Sequence, residues 1–160
     1  MSNIKLARVD DRLIHGQVMT NWLQYTGANQ IIIIDDGTAK DEFTRTVISM
    51  AVPKNVTLKI FTINDAIDYL LNEEDDKPTI LLAKFPDAFL QLHEKGVKLE
   101  EVVIGGMGAK KERIKLYKNI AASERERDIM NKLIEGGVHV KIQIIPDEKS
   151  VTIKPDMLKI

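Results

Sequence analysis

The chain contains no cysteine, which excludes disulfides and thiolate-bound metals and fits a reducing compartment. It also lacks any long hydrophobic run. The longest, IIII at 31–34 and ILLA at 80–83, fall far short of the roughly 20 apolar residues that cross a bilayer. The opening MSNIKLARVDD has no apolar signal region. Neither sign of charge dominates: 23 basic residues face 24 acidic ones, for a net charge of −1. That balance gives no ground for a nucleic-acid or anionic-membrane partner. Histidine is scarce, at three residues, so each one asks for an explanation. What is present is apolar material, 44% of 160 residues, enough for a packed core. The expectation is one cytoplasmic domain spanning 1–160.

Strand and helix patterns alternate along the chain. Strands are expected at 4–9, in QIIIIDD at 30–36, VTLKIFT at 56–62, PTILLAKF at 78–85, EEVVIGG at 100–106 and VHVKIQII at 138–145, with a possible seventh in SVTIK at 150–154. The continuous apolar runs suit strands covered on both faces. Helical spacing fills the intervals: about 17–25, ended by Gly27; 41–50, ended before Pro53; 64–72, with Asn64 as a candidate cap; and 86–96, with Pro86 first and Gly96 last. Ser123 and Glu126 form a capping box before a helix that stops at Gly136-Gly137. This rhythm predicts an α/β fold: a central, mostly parallel sheet of about seven strands with helices on both faces. Residues 105–122 are the least regular, either an extended excursion or a mobile loop.

The chemistry-bearing residues fall just after predicted strands, where ligands of such sheets gather. They are Asp10, Asp11, Arg12 and His15 after the first; Asp35 and Asp36 after the second; Lys84 and Phe85 after the fourth; and Gly105, Gly106 and Met107 after the fifth. In ARVDDRLIHGQV, His15 directly precedes a helix start, whose outward N–H groups suit an anion. Gly16 lets the backbone approach that anion. Arg12 offers two parallel hydrogen bonds to phosphate oxygens. Asp10 or Asp11 can hold either the guanidinium or one imidazole tautomer. A neutral imidazole is a nucleophile with a pKa near working pH. One reading is a phosphorylatable histidine whose added charge of roughly −2 is met by Arg12 and the helix end. The other is a plain strand-to-helix turn with Arg12 paired to a neighbouring aspartate.

RVDDRLIHGQV closely resembles the active-site loop of the IIB components of the mannose/fructose/sorbose family of the bacterial sugar phosphotransferase system. The strand and DD at 31–36, AVP at 51–53, GGM at 105–107 and the final helix and strand follow in that family's order. The resemblance implies that His15 takes a phosphoryl group, on Nδ1, from the histidine of a IIA domain. It implies that the group passes to a sugar held by the membrane components IIC and IID. Arg12 matches the family's arginine beside the phosphoryl group, and Asp10 and Asp11 match its acidic pair. Arg12, Gly16 and Gln17 are thus expected to stabilise the phosphate. Asp10, Asp11, Asp36, Phe85, Gly105 and Gly106 are expected to orient it or line the rim. No metal or other cofactor is expected, no nucleic-acid partner and no insertion into the membrane, only peripheral association with the permease. His15 should sit at an exposed or shallow site that can face two partners.

Other features read more plainly. The glycines of VIGGMGAKKE fail both phosphate-loop spacings. IIIIDDG and LAKFP superficially resemble response-regulator receivers, but in the wrong order. His93 belongs to a helix end and His139 to a strand surface, so no multi-histidine metal site is expected. Trp22 is read as core. The rivals are a phosphohistidine-using phosphatase or mutase, whose arginine would directly precede the histidine, and a non-catalytic regulator of the same fold.

Overall fold

The computed structural model describes residues 3–160. Met1 and Ser2, counted above into one 1–160 unit, lie outside the described residues. The chain runs β1 (Asn3–Asp10), α1 (Gly16–Thr26), β2 (Gln30–Ile34), α2 (Asp36–Lys40), α3 (Glu42–Ala51), β3 (Thr57–Phe61), α4 (Ile63–Asn72), β4 (Pro78–Ala83), α5 (Asp87–Glu94), β5 (Glu101–Gly106), β6 (Ile114–Tyr117), β7 (Ile120–Ala122), α6 (Glu124–Glu135), β8 (His139–Ile142), β9 (Val151–Thr152) and a closing 3-10 turn, Pro155–Leu158. Seven strands form one sheet in the order β3-β2-β4-β1-β5-β8-β9. All its pairings are parallel except β8 with β9.

Buried side chains fall into two clusters, one on each face of the sheet. One holds Val9, Leu81, Phe89, Leu92, Ile104 and Met130; the other holds Leu6, Met19, Trp22, Leu23, Ile33 and Leu82. Because side chains alternate along a strand, Leu6, Arg8 and Asp10 of β1 share one side and Ala7 and Val9 the other. β2 is buried at every position, as its Ile run requires when both faces are covered.

Several element ends follow from local chemistry. Ser123 and Glu126 make the expected reciprocal capping box of α6. Gly27 ends α1 at φ 71°, a conformation glycine adopts without strain. α4 is capped by Thr62, whose hydroxyl accepts from the Asp65 N–H, rather than by Asn64. A short helix, α2, precedes α3 in an interval for which the sequence predicts no element. Asp35 causes it by accepting from both the N–H and the hydroxyl of Thr38. Residues 105–122 are an extended excursion: a stretch at 107–113 that belongs to no helix or strand leads into the antiparallel hairpin β6–β7. Trp22 is core, and His139 is a surface residue between Glu101 and Thr152.

The strand order positions the site. From β1 the chain places β2, β3 and β4 on one side and β5, β8 and β9 on the other. Such a reversal opens a crevice beyond the carboxyl ends of the strands that flank it. The loop from β1 to α1 emerges there, beside the end of β5.

Candidate active site

The loop after β1 is fixed by its own backbone. Asp11 N–H donates to Gly106 O at 2.8 Å and Leu13 N–H to Asp10 O at 3.0 Å. Asp10 Oδ1 accepts the Arg12 N–H at 3.0 Å. Leu13 takes φ 57°, strained for a branched side chain, while that side chain is buried in the core. Core packing of Leu13 therefore holds the turn that delivers His15 to the start of α1. Gly16 follows at φ 42°.

Asp10 is the centre of the site, with only 1% of its surface exposed. Its Oδ1 accepts from Arg12 Nε at 3.1 Å, and its Oδ2 accepts from Arg12 Nη2 and Arg8 Nη2, each at 3.3 Å. Oδ2 also lies 3.1 Å from His15 Nε2. Burial alone would raise the Asp10 carboxyl, but the hydrogen bonds from Arg12 and His15 and the charge of Arg8 hold it below the usual carboxylate range. Asp10 is therefore ionised and can only accept. It follows that Nε2 carries the imidazole proton and that Nδ1 presents its lone pair. Nδ1 has no hydrogen-bond partner among the described residues, and the His15 side chain is 25% exposed.

Behind Asp10 stands Arg8, fully buried. Its Nη1 donates to Gln143 O at 2.9 Å, and its Cζ lies 5.3 Å from the Trp22 ring centroid. Burial pushes this guanidinium below its usual range against the pull of Asp10. The group packs directly on β5. A Cβ on Gly105 would fall 2.0 Å from Arg8 Cζ, and one on Gly106 would fall 2.5 Å from Asp10 Oδ1. Both glycines are thus the floor on which the Arg8–Asp10 pair rests.

Asp11 is turned the other way. Its Oδ2 accepts the Gly108 N–H and Arg113 Nη1, both at 2.8 Å. Arg113, with a side chain 3% exposed, also donates to both carboxylate oxygens of Glu126 and to Gly108 O. Hydrogen bonds to Glu126 and Asp11 outweigh its burial and raise its pKa. The two aspartates of the loop therefore separate: Asp10 serves the histidine, and Asp11 ties the loop to the β6–β7 hairpin and α6.

The remaining expected residues are distributed around this centre. Arg12, held by Asp10 through Nε and Nη2, keeps 55% of its side chain exposed. The first turn of α1 contains no acidic residue, so its N–H groups at Gly16 and Gln17 keep their positive field. The Gln17 amide donates to Asn21 Oδ1 at 3.2 Å, along the helix rather than toward His15. Phe85 lies beyond the end of β4, under the ammonium of Lys110 at 5.1 Å from its ring centroid. Asp36 accepts the Ile63 N–H at 2.8 Å and fastens α2 to α4; no hydrogen bond connects it to His15. No group of three His, Cys, Asp or Glu side chains that could hold a metal occurs among the described residues. Three surface cavities of about 750, 920 and 500 Å³ all lie away from residues 10–17.

Arg8 and Arg113 are functional neighbours that sequence reasoning passed over. Arg8 did carry a signal: a lone charge in an otherwise apolar strand, two positions before Asp10 and so on the same side of it. Arg113 carried none, since its partner Asp11 is 102 positions away.

The arrangement comprises a buried acceptor, an imidazole with one nitrogen free, a half-exposed arginine and a helix start. It is suited to forming and discharging a phosphohistidine. Comparison with known proteins agrees. Residues 4–159 match the family described as PTS system sorbose subfamily IIB component. The PTS system fructose-specific EIIB component of Bacillus subtilis is 31% identical over 94% of this chain and 93% of that protein. The PTS system mannose-specific EIIAB component of Escherichia coli is 30% identical over 88% of this chain and 44% of that longer protein. The crystal structure of the IIB domain of the sorbose permease from Klebsiella pneumoniae superimposes with a TM-score of 0.92 at 30% identity, covering 98% of this chain and 96% of that one. The chain belongs to the sorbose subfamily of IIB components, transferases of the sugar phosphotransferase system.

Proposed function

We propose that His15 Nδ1 is the phosphoryl carrier of this IIB component. It takes the group from the histidine of a IIA domain and passes it to a sugar held by the membrane components IIC and IID. The observation that carries this reading is the 3.1 Å contact of His15 Nε2 with an ionised, buried Asp10, which leaves Nδ1 as the nucleophile. The fused arrangement named in the mannose-specific EIIAB relative supports a IIA partner.

The Nδ1 lone pair attacks phosphorus in line with the donor's N–P bond, which breaks as the new one forms. Little covalent work falls to the protein beyond positioning and charge. The product ring keeps its proton on Nε2 and is cationic, and Asp10 neutralises it. Arg12 leaves one of its bonds to Asp10 to meet the phosphoryl oxygens, and the N–H groups at the start of α1 face them. In the second step a sugar hydroxyl attacks phosphorus, the Nδ1–P bond breaks, and the ring leaves as neutral imidazole. The hydroxyl proton goes to a base on the acceptor's side. Because Nε2 is protonated throughout, the leaving group is a good one in both directions. The protein works at the cytoplasmic face, associated peripherally with the permease. No helix among the described residues is long and apolar enough to cross a membrane.

The direct test is intact mass after incubation with phosphoenolpyruvate, enzyme I, the phosphocarrier protein and a phosphorylated IIA domain. One acid-labile phosphoryl group is expected, absent in His15→Ala. A group that persists in that variant refutes the assignment.

A further inference from the structure

The near-neutral whole chain conceals a local excess. Between Gly108 and Asn119 stand Lys110, Lys111, Arg113, Lys115 and Lys118 against one acid, Glu112. Arg113 is spent inward on Asp11 and Glu126. The four lysines are exposed, and Ile114 among them is 52% exposed. Lysines in ion pairs among the described residues lie elsewhere, at 132, 141 and 159. The segment is nevertheless rigidly mounted. Buried Arg127 of α6 donates to the carbonyls of Ile114 and Lys115 at 2.7 and 3.1 Å. Gly108 and Arg113 bind the active-site loop through Asp11, and Lys110 stands over Phe85 at the end of β4. The loop that carries Lys110 and Lys111 is therefore tied to the His15 rim, and Lys115 and Lys118 follow on the hairpin it leads into.

We propose that residues 110–118 form a docking surface for anionic lipid headgroups, seating the His15 rim against the membrane. The proposal rests on the reading that His15 delivers its phosphoryl group to a sugar held in the bilayer. The side chains favour lipid over an acidic protein. Specific carboxylate recognition is the work of arginine forks, and the arginines binding this hairpin, Arg113 and Arg127, both point inward. Outward stand four lysines, point charges on flexible stems, beside a half-exposed isoleucine. That combination suits a diffuse negative surface with an apolar layer beneath it. Each lysine near such a surface strengthens binding about fivefold, so four give on the order of several hundredfold at low salt.

The test is co-sedimentation of the whole chain with phosphatidylcholine vesicles, with and without about one third phosphatidylglycerol. Binding to the anionic vesicles only is expected, weakening as salt is raised. K110Q/K111Q/K115Q/K118Q should lose about a hundredfold or more of it while still accepting phosphate from IIA. Absence of preference for anionic vesicles at low salt, or equal binding by the quadruple variant, overturns the proposal. So does a variant that keeps vesicle binding but loses phosphorylation by IIA, which would make the hairpin a protein-docking element. Vesicle binding by a chain that IIA does not phosphorylate would instead refute the carrier function and leave the lipid surface standing.

Discussion

Asp10→Asn isolates the central feature of the site, because it removes one charge and almost no volume. Two consequences follow from the geometry. The first is energetic. Arg8 is fully buried, and Asp10 is its one ionic partner among the described residues. Removing one member of a buried pair costs about 3–5 kcal/mol. Arg8 keeps the Gln143 carbonyl and the Trp22 ring, so the lower end, about 3 kcal/mol, applies. For a chain of this size that lowers the melting temperature by roughly 6–12 °C. The second consequence is chemical. An amide in place of the carboxylate no longer fixes the proton on Nε2 and no longer neutralises the phosphorylated ring. The corresponding change in a serine-protease triad lowers the rate about 10⁴-fold through the wrong tautomer, and a loss of about 10²–10⁴ is expected here. Rapid-quench measurement of phosphoryl transfer from phosphorylated IIA reads the second effect, and calorimetry reads the first. The double variant Arg8→Met/Asp10→Asn separates them: it should regain much of the stability and none of the rate. Transfer within a few-fold of the parent in Asp10→Asn would refute the tautomer argument.

Four further outcomes follow. Gly105→Ala drives a methyl into the Arg8 guanidinium and should destabilise by about 1–3 kcal/mol or more, read by chemical denaturation. Arg113→Met leaves Glu126 buried without its cation; a loss of about 3 kcal/mol is expected, with faster hydrogen exchange at Gly108. Asp75 is held down at about 2, chiefly by the Tyr69 hydroxyl. A depressed carboxyl contributes stability above its unfolded pKa, and that contribution fades as pH falls toward the folded value. Acid titration of Asp75→Asn should therefore show a flatter loss of stability between about pH 4 and 2 than the parent shows. Phe43→Ala on α3 removes a ring 78% exposed, and stability should change by less than about 0.5 kcal/mol.

Features carried by short-range chemistry were legible in the sequence. The Ile31–Ile34 run, the Ser123/Glu126 box and the Gly27 stop depend on neighbours a few positions away, so they read correctly without a fold. The short helix α2 was missed because its cause is one side chain, Asp35, accepting twice from Thr38. Thr62 displaced Asn64 as the cap of α4 by a shift of two residues, within which both are good cap formers. The hairpin at 114–122 was obscured by charge: its strands are short and one is exposed, so apolar alternation was absent.

Local patterning alone carried the α/β rhythm and placed His15, Arg12 and two aspartates in one loop before a helix. It could not divide the work between Asp10 and Asp11, since adjacent carboxylates are chemically equal until something surrounds them. Tertiary structure made them different. Strand alternation and the β1–β5 pairing buried Asp10 against Arg8 and two glycines, while Arg113, brought from 102 positions away, drew Asp11 outward. The free nitrogen of His15 is a product of that division. Which carboxylate meets the imidazole is decided by burial and long-range partners, and neither is encoded in a local spacing.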